Sequence, residues 1–85
     1  MTQEAELLER ITVRPEIFGG KPVIRDMQIA VEHVLANLAA GESVDDWLKN
    51  YPFLEREDIQ ACLLFAHRTL AGEQVHDRIS VRAAS

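Results

Sequence analysis

Apolar and polar residues alternate through Arg10-Ile11-Thr12-Val13-Arg14, with β-branched side chains in the middle, and Pro15 follows at once. A period of two with Ile and Val on one face predicts a half-buried strand, which proline stops because it has no N–H to donate to a ladder. The next candidates for extended chain are Val23-Ile24 and Ile29, on either side of Arg25-Asp26-Met27-Gln28, which has the make-up of a small hairpin turn. From Val31 onward the period changes. Val31, Val34, Leu35 and Leu38 fall at i, i+3, i+4 and i+7, and Gly41 stands where a left-handed helix cap belongs. Ser43 and Asp46 have the spacing of a capping box, in which the hydroxyl and the carboxylate satisfy each other's backbone N–H groups. The helix they start carries Trp47, Leu48 and Tyr51 on its apolar face and ends before Pro52. A third helix is predicted from about Arg56 to Ala71, with Ile59, Cys62, Leu63, Ala66 and Leu70 as its buried stripe and Gly72 closing it.

The pattern therefore predicts a mainly α protein, three helices preceded by a small N-terminal β element. Residues 1–9 read as an N-terminal extension, 10–72 as one domain and 73–85 as a C-terminal tail. In that tail Arg78-Ile79-Ser80-Val81-Arg82 nearly repeats Arg10-Ile11-Thr12-Val13-Arg14. It is either a second strand, able to pair with the first, with its copy in another subunit or with a partner's sheet edge, or a frayed end.

Size adds one consideration. An 85-residue chain supports only a modest core, so a partner, including a second copy of itself, is expected from the outset. The net charge of −5 opposes sequence-independent binding to nucleic acid, and its distribution sharpens the point. Arg10, Arg14, Lys21 and Arg25 face only Glu16 in the first third, whereas the stretch 26–58 is strongly acidic. Such a polarity favours protein partners over DNA. The single cysteine, Cys62, fits a reducing compartment, no apolar run reaches the length that spans a bilayer, and Met1-Thr2-Gln3-Glu4 is unlike a signal peptide. A cytoplasmic protein is expected.

Candidate chemistry is sparse. Gly19-Gly20-Lys21-Pro22 has the glycines and lysine of a phosphate loop, but Pro22 removes a donor and the following residues read as strand, not as the helix such a loop requires. A tight turn using glycine's access to positive φ is the better reading. His33, His67 and His76 lack metal-ligand spacing, with each other or with Cys62. Asp45, Asp46, Glu55, Glu57 and Asp58 lie near helix starts, where the dipole favours negative charge. No nucleophile has a convincing base. Neither an enzyme nor a cofactor nor a small-molecule substrate is expected. The pair of helices joined by Tyr51-Pro52-Phe53-Leu54 suggests a helix-turn-helix. As a dimeric DNA-binding regulator it would place Arg10, Arg14, Lys21 and Arg25 on phosphates of its promoter and Arg56 with Gln60 at base edges, although Glu57 and Asp58 would oppose phosphates.

Two motifs taken together resemble a known family. Pro15-Glu16, Gly19-Gly20-Lys21-Pro22-Val23-Ile24-Arg25, Ile29 and Val31 are similar to the N-terminal signature of the domain of unknown function 433 family. Gly41, Ser43, Asp45-Asp46, Leu48, Tyr51-Pro52, Leu54 and Glu57-Asp58-Ile59 are similar to its second half. The resemblance implies a homeodomain-like helix-turn-helix, described as VapB-type antitoxin-like, that binds and silences a PIN-like nuclease toxin and autoregulates its promoter as a dimer. Where the family usually has Gly-Thr-Arg-Ile-Pro-Val, this chain has Asp26-Met27-Gln28-Ile29-Ala30-Val31, so a glycine, an arginine and a proline are all replaced. A PIN-like site is a carboxylate cluster that holds divalent metal, and a cationic side chain there would compete with the metal. Arg78 and Arg82, about 13 Å apart on one face of an extended tail at roughly 3.3 Å per residue, suit that role, with Ile79 and Val81 anchoring the opposite face. A homodimeric scaffold joined through paired tails is the remaining alternative.

Overall fold

The computed structural model of the protein describes residues 3–72. The tail, with the strand expected at 78–82 and the partner contacts expected of Arg78, Ile79, Val81 and Arg82, lies outside the described residues. Four helices and a small two-stranded antiparallel sheet make up the described chain: α1 (Gln3–Leu8), β1 (Ile11–Thr12), β2 (Val23–Ile24), α2 (Val31–Ala39), α3 (Val44–Asn50) and α4 (Arg56–Ala71). The stretch read as an N-terminal extension is largely helical. α1 packs along α4 and is tied to it by an ion pair between Glu4 and Arg68. Leu7 and Leu8 were too short an apolar signal to announce it.

Of the alternation at 10–14, Ile11 and Thr12 form the strand, paired with Ile24 and Val23, while Val13 lies outside it and is exposed. Beyond it the chain doubles back at the expected turn, where the Met27 N–H donates to the Ile24 carbonyl and the Ile24 N–H to the Ile29 carbonyl. Arg25 and Asp26 both adopt positive φ, +41° and +59°, as tight hairpin turns demand. Asp26 pins the turn by donating its own N–H to Thr12 Oγ1 at 2.9 Å. Phe18 to Gly20 form one 3₁₀ turn, in which all three residues have positive φ.

All three sequence-predicted helices form, and caps are clearest at the end of α2 and the start of α3. Behind α2, the Gly41 N–H reaches the Leu38 carbonyl and the Glu42 N–H the Asn37 carbonyl, the paired bonds of a Schellman ending, with Gly41 at φ +104°. A Gly41→Ala variant is expected to lose about 1–2 kcal/mol of stability through that left-handed backbone alone, since no neighbouring atom crowds a Cβ there. Urea denaturation reads the loss as a lower midpoint with an unchanged slope. At α3 the capping box is complete: Ser43 Oγ accepts from the Asp46 N–H at 3.0 Å and Asp46 Oδ2 from the Ser43 N–H at 3.1 Å. Those bonds to the carboxylate hold Asp46 below the ordinary range.

Ile24, Val31, Val34, Trp47, Leu54, Ile59 and Cys62 form the core, surrounded by half-buried Ile11, Met27, Leu35, Leu38, Tyr51 and Phe65. Leu54 and Ile59 stand at the positions of a hydrophobic staple, so the turn between α3 and α4 is fixed by the same core that holds the helices. The stripe predicted on α4 is only half correct. Ile59 and Cys62 are buried as expected, but Leu63 is 47% and Leu70 54% exposed, while Ala61 and Asp58 are buried. The helix is rotated toward Asp58 because that carboxylate is a packed member of the interior.

Candidate functional site

Asp58 is fully buried, and its environment accounts for two of the four basic residues in the first third of the chain, Arg10 and Arg25. Arg25 grips it with two parallel bonds, Nε to Oδ1 at 3.0 Å and Nη2 to Oδ2 at 2.7 Å. Arg10 Nη1 adds a bond to Oδ1 at 3.0 Å and another to Glu55 Oε1 at 2.6 Å. The Glu55 N–H, at the start of α4, donates to Oδ2 at 2.8 Å. A guanidinium fork, a second guanidinium and a helix-start N–H thus satisfy one carboxylate. Burial by itself pushes the Asp58 carboxyl up, and the bonds from Arg25, the Glu55 backbone and Arg10 outweigh it and hold the group below its usual range. The same bonds raise both guanidinium groups: Arg10 through Glu55 and Asp58, Arg25 through Asp58.

The expectation that Asp58 would lie on the exposed front of a recognition helix is therefore corrected. It is the interior anchor that joins the β element to α4. Two signals for it were present in the sequence, a carboxylate at the third position of a predicted helix and two arginines flanking a predicted sheet, but nothing in the linear order paired them across 33 and 48 residues.

The remaining basic candidates also meet acids. Arg14 Nε lies 2.8 Å from Asp26, Lys21 Nζ 3.1 Å from Glu32, and Arg56 Nη2 2.5 Å from Asp45. The bond from Arg14 is the main reason Asp26 titrates low. Arg10, Arg14, Lys21, Arg25 and Arg56 are thus all engaged within the chain, and of the DNA-binding candidates Gln60 is the exposed side chain left with no charge partner to displace. Cys62 is buried, and burial pushes its thiol up to about 12, which removes it as a nucleophile at neutral pH. Among the described residues no group of His, Cys, Asp and Glu side chains is placed to hold a metal ion, and no helix is long and apolar enough to cross a membrane.

Two neighbouring concave surfaces among the described residues share the Lys21–Glu32 ion pair, which lines both. One is an apolar groove of about 320 Å³ between α2 and α4, formed by Pro22, Val31, Leu35, Phe65, Ala66 and Leu70. The other is a larger, mixed cleft bordered by the 3₁₀ turn, α2 and α3. Lys21-Pro22 therefore serves as a corner between two surfaces. Its lysine reaches outward, as a solvated side chain at a turn should, and finds Glu32.

Residues 11–66 match the family model described as protein of unknown function DUF433. The chain belongs to the DUF433 family. It is 40% identical over 58 residues to uncharacterized protein y4eO of Sinorhizobium fredii (strain NBRC 101917 / NGR234), a match that covers 68% of this chain and 26% of that protein. The chain thus spans about a quarter of the length of that curated relative. Its fold is similar to that of a crystallised DUF433 member from Anabaena variabilis ATCC 29413, with a TM-score of 0.68 over 100% of both chains at 22% identity. Within this DUF433 domain, the signature Val23-Ile24-Arg25 and the acidic Glu57-Asp58-Ile59 prove to be two halves of one contact, the Arg25–Asp58 fork. Asp26 accepts at this turn a positive φ that glycine would take freely.

Proposed function

We propose that this DUF433 domain is a non-enzymatic protein-binding module of the antitoxin kind, which silences a PIN-like nuclease. The observation that carries the reading is the apolar groove between α2 and α4. It is lined almost wholly by carbon, and exposed Leu70 stands at the end of α4, where the chain continues into the tail. A half-buried apolar groove beside a helix is the receptor form for an amphipathic segment of another protein. Arg78 and Arg82, outside the described residues, supply the two cations proposed for a carboxylate-rich metal site.

The alternative of a dimeric DNA-binding regulator receives less support. Arg10 and Arg25 would have to abandon a buried carboxylate to reach phosphate, and Arg14, Lys21 and Arg56 would each have to leave an acid. A regulator of that kind would show affinity falling steeply with salt on its own upstream DNA.

Co-expression with the product of the neighbouring reading frame tests the proposal. Nucleic-acid cleavage should fall to background at a one-to-one ratio. Leu70→Glu should weaken the complex about tenfold or more by placing a charge in the groove, without loss of fold, because Leu70 is 54% exposed. Arg78→Ala with Arg82→Ala should restore cleavage while the complex persists. Undiminished nuclease activity at saturating concentrations of this chain would overturn the reading.

A further inference from the structure

We propose that the cleft bordered by the 3₁₀ turn, α2 and α3 is a binding site for a small, neutral, planar ring compound bearing a carbonyl oxygen. Three observations converge on it. The first is Trp47, whose indole is 1% exposed and whose Nε1–H is buried without a hydrogen-bond partner. An indole N–H can only donate, and an unpaired buried donor calls for an acceptor. The second is the aromatic wall around it. Tyr51 stacks on Trp47 with centroids 5.0 Å apart and planes at 25°, and His33 meets Trp47 edge-on at 5.8 Å and 87°. The third is Phe18 at the cleft's border, 49% exposed and held at φ +50°. A bulky residue at positive φ is a backbone outlier, and an exposed phenyl group in that state owes nothing to the core. The two glycines that follow it share the left-handed turn, so glycine would fit this position with less strain.

The cleft measures about 660 Å³, within the size of small-molecule sites. Its charge selects against ions: the Lys21 ammonium lies 3.1 Å from both Glu32 oxygens, so the rim offers no net field to a carboxylate or an ammonium. The exposed Phe18 ring at the border favours a ring compound, and the unpaired indole N–H favours a carbonyl on it. In the described conformation that N–H is shielded from solvent. The exposed His33 ring, bonded to Asn37 at 3.2 Å, meets the indole edge-on, so a ligand that reaches the N–H has to displace a neighbouring side chain. This site lies across the Lys21–Glu32 pair from the apolar groove and stands whether or not that groove holds a nuclease.

Because the chain has one tryptophan, a single indole N–H resonance reports on the site. The ¹⁵N-labelled full 85-residue chain should be titrated with benzamide as the neutral probe and benzoate as the charged comparator. Benzamide should move that resonance saturably and quench Trp47 fluorescence, with the millimolar affinity of a fragment of this size. Benzoate should bind several-fold more weakly. Phe18→Gly should weaken benzamide roughly three- to tenfold, the loss of one aromatic contact, with an unchanged or higher thermal midpoint. A stationary indole resonance up to about 50 mM benzamide, well beyond fragment affinity, would overturn the assignment. So would equal affinity for the two probes, or a Phe18→Gly chain of normal stability that binds benzamide as well as its parent.

Discussion

Asp58→Ala is expected to lower the unfolding free energy by about 3–5 kcal/mol, the cost of breaking a buried ion pair from one side. Three separate losses add up to that figure. Arg25 forfeits both bonds of its fork, Arg10 one of its two, and the Glu55 N–H at the start of α4 is left without its acceptor. The arginine side chains are 38% and 28% exposed, so water recovers part of their solvation, which places the expected value toward the lower end. Asp58→Asn keeps the shape and the helix-start bond but neither the charge nor the full fork, and should cost less than alanine. Urea titration of the three chains orders them as native, asparagine, alanine.

The same carboxylate sets the acid limit. Its folded-state titration lies below the ordinary value, so the stabilisation it provides is complete above the unfolded carboxylate range near pH 4 and disappears as pH falls through the lower folded value. Asp26 and Asp46, held low by Arg14 and by the Ser43 backbone, act in the same direction. Stability should therefore drop as pH falls below about 4, and the drop should be shallower in Asp58→Asn, which has lost one of the contributing groups. An equally steep acid transition in the asparagine chain would deny Asp58 this role.

Trp47→Ala should be of similar severity, about 3–5 kcal/mol, because it empties the centre of the core and removes the ring that supports Tyr51 and His33. In a domain of this size that is a large part of the total stability, and partial unfolding at 37 °C is the expected outcome. Trp47→Phe is the informative companion. It also leaves a void, but it deletes the unpaired indole N–H, whose burial itself costs roughly 1–3 kcal/mol. The phenylalanine chain should consequently fall short of native by only about 1–2 kcal/mol, less than its lost volume alone implies. Chemical denaturation followed by far-UV circular dichroism checks both, since fluorescence is lost with the tryptophan.

The helices α2, α3 and α4 were legible because their information is local. The spacing of Val31, Val34, Leu35 and Leu38, the Gly41 ending and the Ser43–Asp46 box all operate within a few residues, where backbone geometry leaves little choice. The β-strand at Ile11 and the turn at Arg25-Asp26 were readable for the same reason. α1 was not, since six residues carry too short a pattern to show a period, and its helicity is fixed by packing on α4.

Candidate sites were less accessible than elements. From the sequence, Arg10 and Arg25 looked like solvent-facing cations and Asp58 like one more acid near a helix start. The choice between surface and interior depended on which side chains the folded chain brought within 3 Å. Leu63 and Leu70 illustrate the converse, for periodicity assigned them to a buried stripe and the rotation of α4 around Asp58 turned them outward. The amino-acid sequence alone determined the order and approximate limits of α2, α3 and α4, because those obey near-neighbour rules. Tertiary structure alone decided which charges are buried, which apolar residues are left facing outward and where the concave surfaces lie, because pairing energies between distant residues have no signature in linear order.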